Sequence, residues 1–218
     1  MKKVLVTGAS YGLGQSLSKT LINNDYFVYG ISRSKPSKEL IQSGNFIWLK
    51  ADISKLSEIK KIFQKIESLD FLVNNVGVYS NSLFENESFK TIEKLIDVNL
   101  KGNIFITKLS IQKMNKNSRI VFVNSVAGLN FIEKESTYVA TKHGLGAFAA
   151  VLGKELRSRK IKVTSIYPGG IDTPLQEGNP QKNKLLSSEF VSKYILQIIE
   201  ENSVEFKNIT FYPEVEYH

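Results

Sequence analysis

Two side chains near the middle of the chain have the types and the spacing of a proton-transfer pair. Tyr138 and Lys142 are four residues apart, so on a helix both would leave the same face, one turn from each other. An ammonium beside a phenol favours the phenolate, and we therefore expect Lys142 to lower the pKa of Tyr138. Ser125 lies upstream at the end of an apolar run, where its hydroxyl is placed to hold a substrate oxygen. The alternative for such a pair is a solvated helix surface with no chemical role.

The composition limits the classes of chemistry that remain open. The chain of 218 residues suits one domain, has no cysteine and has two histidines, His143 and His218. We therefore expect no disulfide, no thiol catalysis and no metal site. A hydrolase built on Ser125 and His143 is not favoured, because Ser125 lacks a Gly-x-Ser-x-Gly elbow. His143 would also lie about 100° around a helix from Lys142.

The net charge of +8 is spread along the chain rather than concentrated in one segment. No block of five like charges occurs, and no basic stripe is interleaved with aromatic residues. We therefore expect no nucleic-acid partner. No apolar run approaches the roughly 20 residues of a membrane span, and the first residues lead directly into a strand-like run. We expect a cytoplasmic protein that does not bind a membrane.

A glycine-rich turn follows the first apolar run, residues 3–7. It is followed by a segment with leucines at helical spacing and then by a second β-rich run at 26–32. This order predicts one βαβ unit. Glycines in such a turn let phosphate oxygens reach backbone N–H groups at the start of the helix. The pattern predicts a dinucleotide site, with a purely structural turn as the alternative.

The second strand lacks the acid that holds a ribose hydroxyl in many dinucleotide folds. It ends in Ser32-Arg33-Ser34, so Arg33 occupies that neighbourhood. A guanidinium favours a 2′-phosphate, which a carboxylate would repel. Arg33 therefore favours NADP over NAD, and the alternative is a loop arginine without a ligand.

Strands and helices alternate through the rest of the chain, which predicts a parallel sheet covered on both faces. The polar segment 34–45 is expected to be a loop, and a helix is expected from about Ser136 to Arg157. Asn99 lies inside a long apolar helical stretch, which indicates a kink or a held water. Glycines and alanines at 144–150 make the later helix small-sided, as in a close helix contact or a dimer seam.

Taken together, these motifs resemble the short-chain dehydrogenase/reductase family. The glycine turn at 7–14 resembles the family's Thr-Gly-x-x-x-Gly-x-Gly, and the segments 74–77 and 168–173 are similar to its Asn-Asn-Ala-Gly and Pro-Gly-x-Val-x-Thr motifs. Asp52 matches the acid that contacts the adenine ring. The resemblance covers nearly the whole chain, and Asn99, Ser125, Tyr138 and Lys142 have the order and spacing of the catalytic tetrad.

The resemblance implies a single doubly wound Rossmann-type α/β domain over residues 1–218, including a substrate loop at about 173–188. Its mostly parallel sheet would have about seven strands in the order 3-2-1-4-5-6-7, with helices on both faces. The implied cofactor-binding residues are Thr7, Gly8, Ser10, Tyr11, Gly12, Leu13, Gly14, Ser32, Arg33, Asp52, Ile53, Asn75, Val76, Gly77, Tyr138, Lys142, Pro168, Gly169, Ile171 and Thr173.

The implied activity is hydride transfer between NADP(H), or alternatively NAD(H), and a small carbonyl or alcohol substrate. Tyr138 would be the general acid or base, Lys142 would lower its pKa and bind the nicotinamide ribose, and Ser125 would bind the substrate carbonyl. Asn99 would hold a water that links Lys142 to solvent. Tyr11 stands where many NADP-using members have a basic residue, so the NADP preference rests mainly on Arg33.

Two points stay open beside this reading. The short region after Thr173 favours an open pocket and a homodimer, with a homotetramer as the alternative. The alternative function is a catalytically silent nucleotide-sensing or scaffold protein of the same fold.

Overall fold

The computed structural model describes residues 1–176 and 184–213, and there it contains one seven-stranded sheet in the order 3-2-1-4-5-6-7. All six pairs of neighbouring strands are parallel. The strands are β1 (Lys3–Thr7), β2 (Phe27–Ser32), β3 (Phe46–Lys50), β4 (Leu69–Asn74), β5 (Met114–Val123), β6 (Lys162–Pro168) and β7 (Asn208–Phe211). The predicted fold class and strand order are confirmed. Residues 177–183 of the expected substrate loop, and residues 214–218, lie outside the described part.

Helices cover both faces of the sheet. They are α1 (Gly12–Ile22), α2 (Lys38–Gln42), α3 (Leu56–Phe63), α4 (Phe89–Leu95), α5 (Asn103–Ile111), α6 (Ser136–Glu155) and α7 (Ser188–Glu200). No helix in the described ranges is long and apolar enough to cross a bilayer.

Alternation along each strand divides the core into two layers. On β1, Leu5 faces the layer beneath α3 and α6, whereas Val4 and Val6 face the layer beneath α1 and α7. All three side chains are fully buried. Because both faces are covered, the strands read as continuous apolar runs. The ends of the strands are therefore the part of the sheet at which polar side chains can collect.

The polar segment 34–45 is not entirely a loop, so that expectation was wrong. It contains α2, which begins where the Ser37 hydroxyl accepts a hydrogen bond from the Leu40 N–H. Leu40 is 1% exposed and belongs to the core beneath α1. A single buried leucine behind an N-cap serine therefore holds one short helix within a polar stretch.

The long helical stretch after residue 88 is interrupted, as Asn99 indicated. Residues Ile96–Gly102 between α4 and α5 form a π-helical segment. The Asn103 side chain donates to the carbonyls of Val98 and Asn99, both at 3.0 Å. The wider turn thus displaces backbone acceptors from the regular ladder, and an asparagine side chain satisfies them.

The small residues of α6 serve partly internal contacts. A Cβ at Gly146 would lie 2.9 Å from the Tyr167 hydroxyl oxygen, and one at Gly144 would lie 3.5 Å from Leu100. Ala147 and Ala150 of the same helix are exposed. The glycines therefore allow close packing within the chain, whereas the exposed alanines leave a flat outer surface, and the dimer stays a prediction.

A buried arginine fastens the last part of the chain to the sheet. Arg119 on β5 is 2% exposed, and its guanidinium donates to the carbonyls of Glu201 at 2.5 Å and Val204 at 3.3 Å. It also donates to the Thr164 hydroxyl at 3.2 Å and lies 5.7 Å from the centre of the Phe206 ring. The charge is thus buried against carbonyl oxygens and an aromatic face, which favours guanidinium over ammonium.

Replacing Arg119 with methionine should destabilise the fold. The variant removes the donor to the buried Thr164 hydroxyl and to the Glu201 and Val204 carbonyls, and we expect a loss of about 3 kcal/mol in the free energy of unfolding. Urea unfolding measures it as a lower midpoint at unchanged m-value. The exposed Arg157 gives the matched control, because Arg157→Met should leave the midpoint nearly unchanged. Equal midpoints for the two variants would refute the anchoring role of Arg119.

Candidate active site

A cleft of about 430 Å³ lies at the carboxyl ends of the strands. Its walls come from the segments that follow β1 to β6, together with the first turns of α6. An open parallel sheet binds its ligands at this edge, where loops diverge on either side of the first strand. The cleft therefore joins the glycine turn and the Tyr138–Lys142 pair in one site.

The glycine turn approaches the backbone too closely for side chains. Gly8 has φ of 75°, in the left-handed region, and a Cβ at Gly14 would lie 2.1 Å from the Gly8 carbonyl oxygen. Tyr11, which precedes α1, makes no side-chain cap, and the first turn of α1 carries no acid. The N–H groups at the start of α1 are thus left for an anion, which the helix dipole also favours.

The far end of the cleft carries the residues after β2 and β3. Arg33 is exposed at this rim. Burial tends to raise the pKa of Asp52, but hydrogen bonds from Ser54 and then the charge of Arg33 lower it below its ordinary value. Asp52 Oδ1 accepts hydrogen bonds from the Ser54 N–H at 2.9 Å and hydroxyl at 2.8 Å. Trp48, the single tryptophan, donates to the Ser32 hydroxyl at 3.0 Å. This end therefore offers a fixed carboxylate and a free guanidinium.

Two crossed hydrogen bonds fix the end of β5 against α6. The Asn124 amide donates to the Lys142 carbonyl at 3.1 Å, and Lys142 Nζ donates to the Asn124 carbonyl at 3.4 Å. Ser125 follows directly, and its hydroxyl oxygen accepts from the Ala127 N–H at 3.1 Å. The Ser125 hydroxyl proton is thus free to point toward Tyr138, and the Ser125 hydroxyl tends to lower the pKa of that phenol.

Burial dominates the protonation of the Tyr138–Lys142 pair. It raises the pKa of Tyr138 to about 12, with the nearby Ser125 hydroxyl acting in the opposite direction. It lowers the pKa of Lys142 to about 8. The expectation of a lowered Tyr138 pKa was therefore wrong for the free protein. Lys142 Nζ lies 5.7 Å from the centre of the Tyr138 ring, over its face, and both groups are nearly dry.

Asn99 acts from behind the cleft, inside the π-helical segment. Its side chain accepts from the Val78 N–H at 2.7 Å and donates to the Val78 carbonyl at 2.9 Å. It also donates to the Thr141 hydroxyl at 3.3 Å, one residue before Lys142. The buried amide is fully used, and it ties the segment after β4 to α6.

Most of the predicted site residues line this one cleft. The lining residues among them are Gly8, Ser10, Tyr11, Gly12, Leu13, Ser32, Arg33, Asp52, Ile53, Asn75, Val76, Gly77, Ser125, Tyr138, Lys142, Pro168, Gly169, Ile171 and Thr173. Thr7, Gly14 and Asn99 lie behind it instead. The Thr7 hydroxyl accepts from the N–H groups of Asn75 and Val76, so it holds the segment after β4 in place.

Among the polar residues of the cleft that sequence reasoning missed are Tyr79 and Glu135. The Tyr79 hydroxyl donates to Glu135 Oε1 at 2.6 Å, and its ring packs edge-on against Tyr138 with 5.1 Å between the ring centres. Glu135 stands three residues before Tyr138, which on a helix is the same face. That spacing was the available signal, whereas Tyr79 is 56 positions from Glu135 in sequence. In residues 1–176 and 184–213 no three His, Asp or Glu side chains are grouped to hold a metal ion.

Comparison with known proteins identifies the family. A sequence profile described as short chain dehydrogenase matches residues 2–184. The chain belongs to the short-chain dehydrogenase family. A short-chain dehydrogenase is an oxidoreductase that binds a nicotinamide dinucleotide and acts on small molecules, and both halves of the cleft agree with that chemistry.

Individual relatives carry different names. Carbonyl reductase family member 4 of Xenopus tropicalis is 34% identical over 185 residues, covering 81% of this chain and 78% of its own. The 3-oxoacyl-[acyl-carrier-protein] reductase FabG of Aquifex aeolicus is 32% identical over 210 residues, covering 90% and 82%. A short-chain dehydrogenase of Burkholderia cenocepacia, solved with NADP, has a TM-score of 0.84 at 20% identity, covering 96% of each chain. This last likeness bears on the fold alone.

The buried Lys142 should make stability depend on pH in a defined window. Its pKa is about 8 in the folded chain against 10.5 ordinarily, so the unfolded chain binds more protons between these values. Stability relative to Lys142→Met should therefore rise with pH through that window, by about 3 kcal/mol in total. Urea unfolding of both proteins from pH 7.5 to 10.5 measures the difference. The exposed Lys154 of the same helix provides Lys154→Met as control, and a difference for Lys142→Met that is flat with pH would disprove the buried-amine assignment.

Proposed function

We propose that the protein is an NADP-dependent carbonyl reductase that uses Tyr138 as its general acid, and as the general base in alcohol oxidation. The observation that carries the proposal is the convergence of Tyr138, Ser125 and Lys142 in the cleft that also contains the glycine turn. Neither half alone would support an activity, because fold does not imply function. The names of two relatives, a carbonyl reductase and a 3-oxoacyl thioester reductase, favour a carbonyl substrate.

The chain offers a fitting partner for each part of a dinucleotide. The Gly8 cradle and the uncapped start of α1 suit the pyrophosphate, and Asp52 suits an amino group on the adenine. Arg33 at the rim suits a 2′-phosphate. Ile171 and Thr173 also line the cleft and are the proposed nicotinamide contacts. When bound, the nicotinamide supplies or accepts the hydride.

The chain's own residues would handle the proton and the substrate oxygen. Burial keeps Tyr138 protonated at neutral pH, so its hydroxyl is available as the acid that donates to a carbonyl oxygen gaining electron density. The Ser125 hydroxyl, oriented by the Ala127 N–H, would donate a second hydrogen bond to the same oxygen. Lys142 lies over the Tyr138 ring, where its charge would stabilise the phenolate that remains.

Asn99 is the proposed positioning residue for this centre, through the Thr141 and Val78 contacts that hold α6 and the segment after β4. The water relay implied by the resemblance stays a prediction. We also propose a homodimer formed through the exposed small residues of α6, Ala147 and Ala150.

The second candidate is a dinucleotide-binding protein without turnover. It would need the cofactor end of the cleft and no working acid at the other. Here Ser125, Tyr138 and Lys142 all line the cleft, and hydrogen bonds fix Lys142 to Asn124 and Ser125 to the Ala127 N–H. This arrangement favours the enzyme.

Removing the Tyr138 hydroxyl should separate the two candidates. Tyr138→Phe should lower kcat for NADPH-dependent reduction by roughly a thousandfold, because the proton donor is lost, while the NADPH dissociation constant stays nearly the same. The kcat is measured with a panel of aldehydes and ketones by following NADPH absorbance. The NADPH dissociation constant is measured by fluorescence titration. Tyr29→Phe, which removes a buried hydroxyl outside the cleft wall, should keep full activity. A wild-type protein that binds NADPH and reduces nothing in the panel would favour the silent alternative.

Arg33 should decide the cofactor preference. Wild-type protein should bind NADPH more tightly than NADH, and Arg33→Ala should weaken NADPH binding by about ten- to a hundredfold with little change for NADH. Energy transfer from Trp48, which is bonded to Ser32 beside Arg33, gives the titration signal. Lys35→Ala removes an exposed cation that does not line the cleft and serves as control. Equal dissociation constants for the two cofactors in wild-type protein would remove the assignment.

A further inference from the structure

A carboxylate lies at the substrate end of the cleft, close to the proposed acid. Glu135 directly precedes α6, lines the cleft and is 9% exposed. Its Oε1 accepts the Tyr79 hydroxyl at 2.6 Å, and the Tyr79 oxygen in turn accepts from the Asn81 amide at 3.3 Å. The Tyr79 ring packs against the Tyr138 ring, so Tyr79 links the Glu135 carboxylate to the proposed general acid.

Glu135 has no counter-ion in the described part of the chain. None of the ion pairs there includes it, and Oε2 accepts no hydrogen bond from residues 1–176 or 184–213. The negative charge of Glu135 acts on both neighbouring phenols. Burial is the largest cause that raises the pKa of Tyr79 and of Tyr138, each to about 12, and the charge of Glu135 is a further cause in both. A carboxylate this buried is costly unless a donor reaches it. Tyr79 supplies one donor to Oε1, and Oε2 is left for a donor that enters the cleft lined by Glu135.

Apolar side chains also line the cleft, among them Val126, Ala127 and Ile132. The basic residues among the described lining are Arg33, at the opposite rim, and Lys142, over the face of the Tyr138 ring. An anionic substrate group placed here would meet a negative charge without a cation to offset it. A hydrogen-bond donor would meet a fixed acceptor.

We propose that Glu135, oriented by Tyr79, selects uncharged carbonyl substrates that carry a hydroxyl beside the reacting carbonyl, and rejects those that carry a carboxylate there. The inference rests on the proposed reductase function and adds the substrate class. The hydroxyl would donate to the free oxygen of Glu135, while the carbonyl oxygen meets Tyr138 and Ser125. The apolar side chains would accommodate the rest of the substrate.

Three ketones of matched shape test this assignment. They share a phenyl group for the apolar wall and differ only beside the carbonyl: α-hydroxyacetophenone has a hydroxyl, propiophenone a methyl and phenylglyoxylate a carboxylate. For wild-type protein with NADPH, kcat/KM should be about tenfold higher for the hydroxyketone than for propiophenone, since one hydrogen bond to a charged group separates them. It should be about a hundredfold higher than for phenylglyoxylate.

Two variants assign the preference to the charge. Glu135→Gln keeps the size and an acceptor but removes the charge, so it should cut the discrimination against phenylglyoxylate at least tenfold. Glu133→Gln, two residues earlier, exposed and outside the cleft wall, should leave all three ratios unchanged. Ratios between substrates are insensitive to the amount of folded protein, so a merely structural role would not move them.

The outcomes distinguish this proposal from the proposed function. Comparable turnover of all three ketones by wild-type protein, or ratios unchanged in Glu135→Gln, would overturn the selection while leaving the reductase intact. If neither these ketones nor any member of the aldehyde and ketone panel is reduced, the reductase proposal fails by itself. Ligand-observed NMR on the NADPH complex then compares binding of the same three compounds, and equal binding overturns the role of Glu135.

Discussion

The crossed hydrogen bonds between Asn124 and Lys142 hold the active site together. They join the last residue before Ser125 to the residue one turn after Tyr138, so strand and helix cannot shift independently. Both partners are buried, which means that each lost bond would leave a polar group without water. Ser125 and Tyr138 come from separate elements, yet this one contact sets their separation. Much of the remaining structure, from the π-helical segment to the glycine of α6 beneath Asn124, allows α6 to approach this closely.

Burial gives the Tyr138–Lys142 pair a character different from that of a solvated ion pair. In a dry cleft the phenol keeps its proton and the amine gives up its proton more readily than usual. The free protein therefore holds the acid in the form needed for reduction. A bound polyphosphate and substrate would change the surroundings of both groups, so the pair is tuned by what enters the cleft as much as by the chain.

Much of the fold was readable from sequence because it depends on local patterns. The apolar runs, the glycine turn and the helical spacing of Tyr138 and Lys142 each gave the right element, and the family resemblance gave the strand order. Segment 34–45 was misread because one hydroxyl cap and the burial of Leu40 outweigh a polar composition. The direction of the Tyr138 pKa was wrong because burial is not visible in a four-residue spacing. Tyr79 and Glu135 meet only through the fold, so no local pattern could pair them.

The number of residues in the π-helical segment matters for the site, because it sets which side chains face the cleft. Between α4 and α5 the backbone carries a wider turn, and Asn103 occupies the carbonyls that this turn releases. Loss of one residue there would close the wider turn and change which of its side chains point toward the site. Asn99 would then no longer face Val78 and Thr141. Substitutions on the outer side of this segment are therefore easier to accommodate than a single deletion, and in related chains the spacing between Asn99 and Asn103 should vary less than the residues around it.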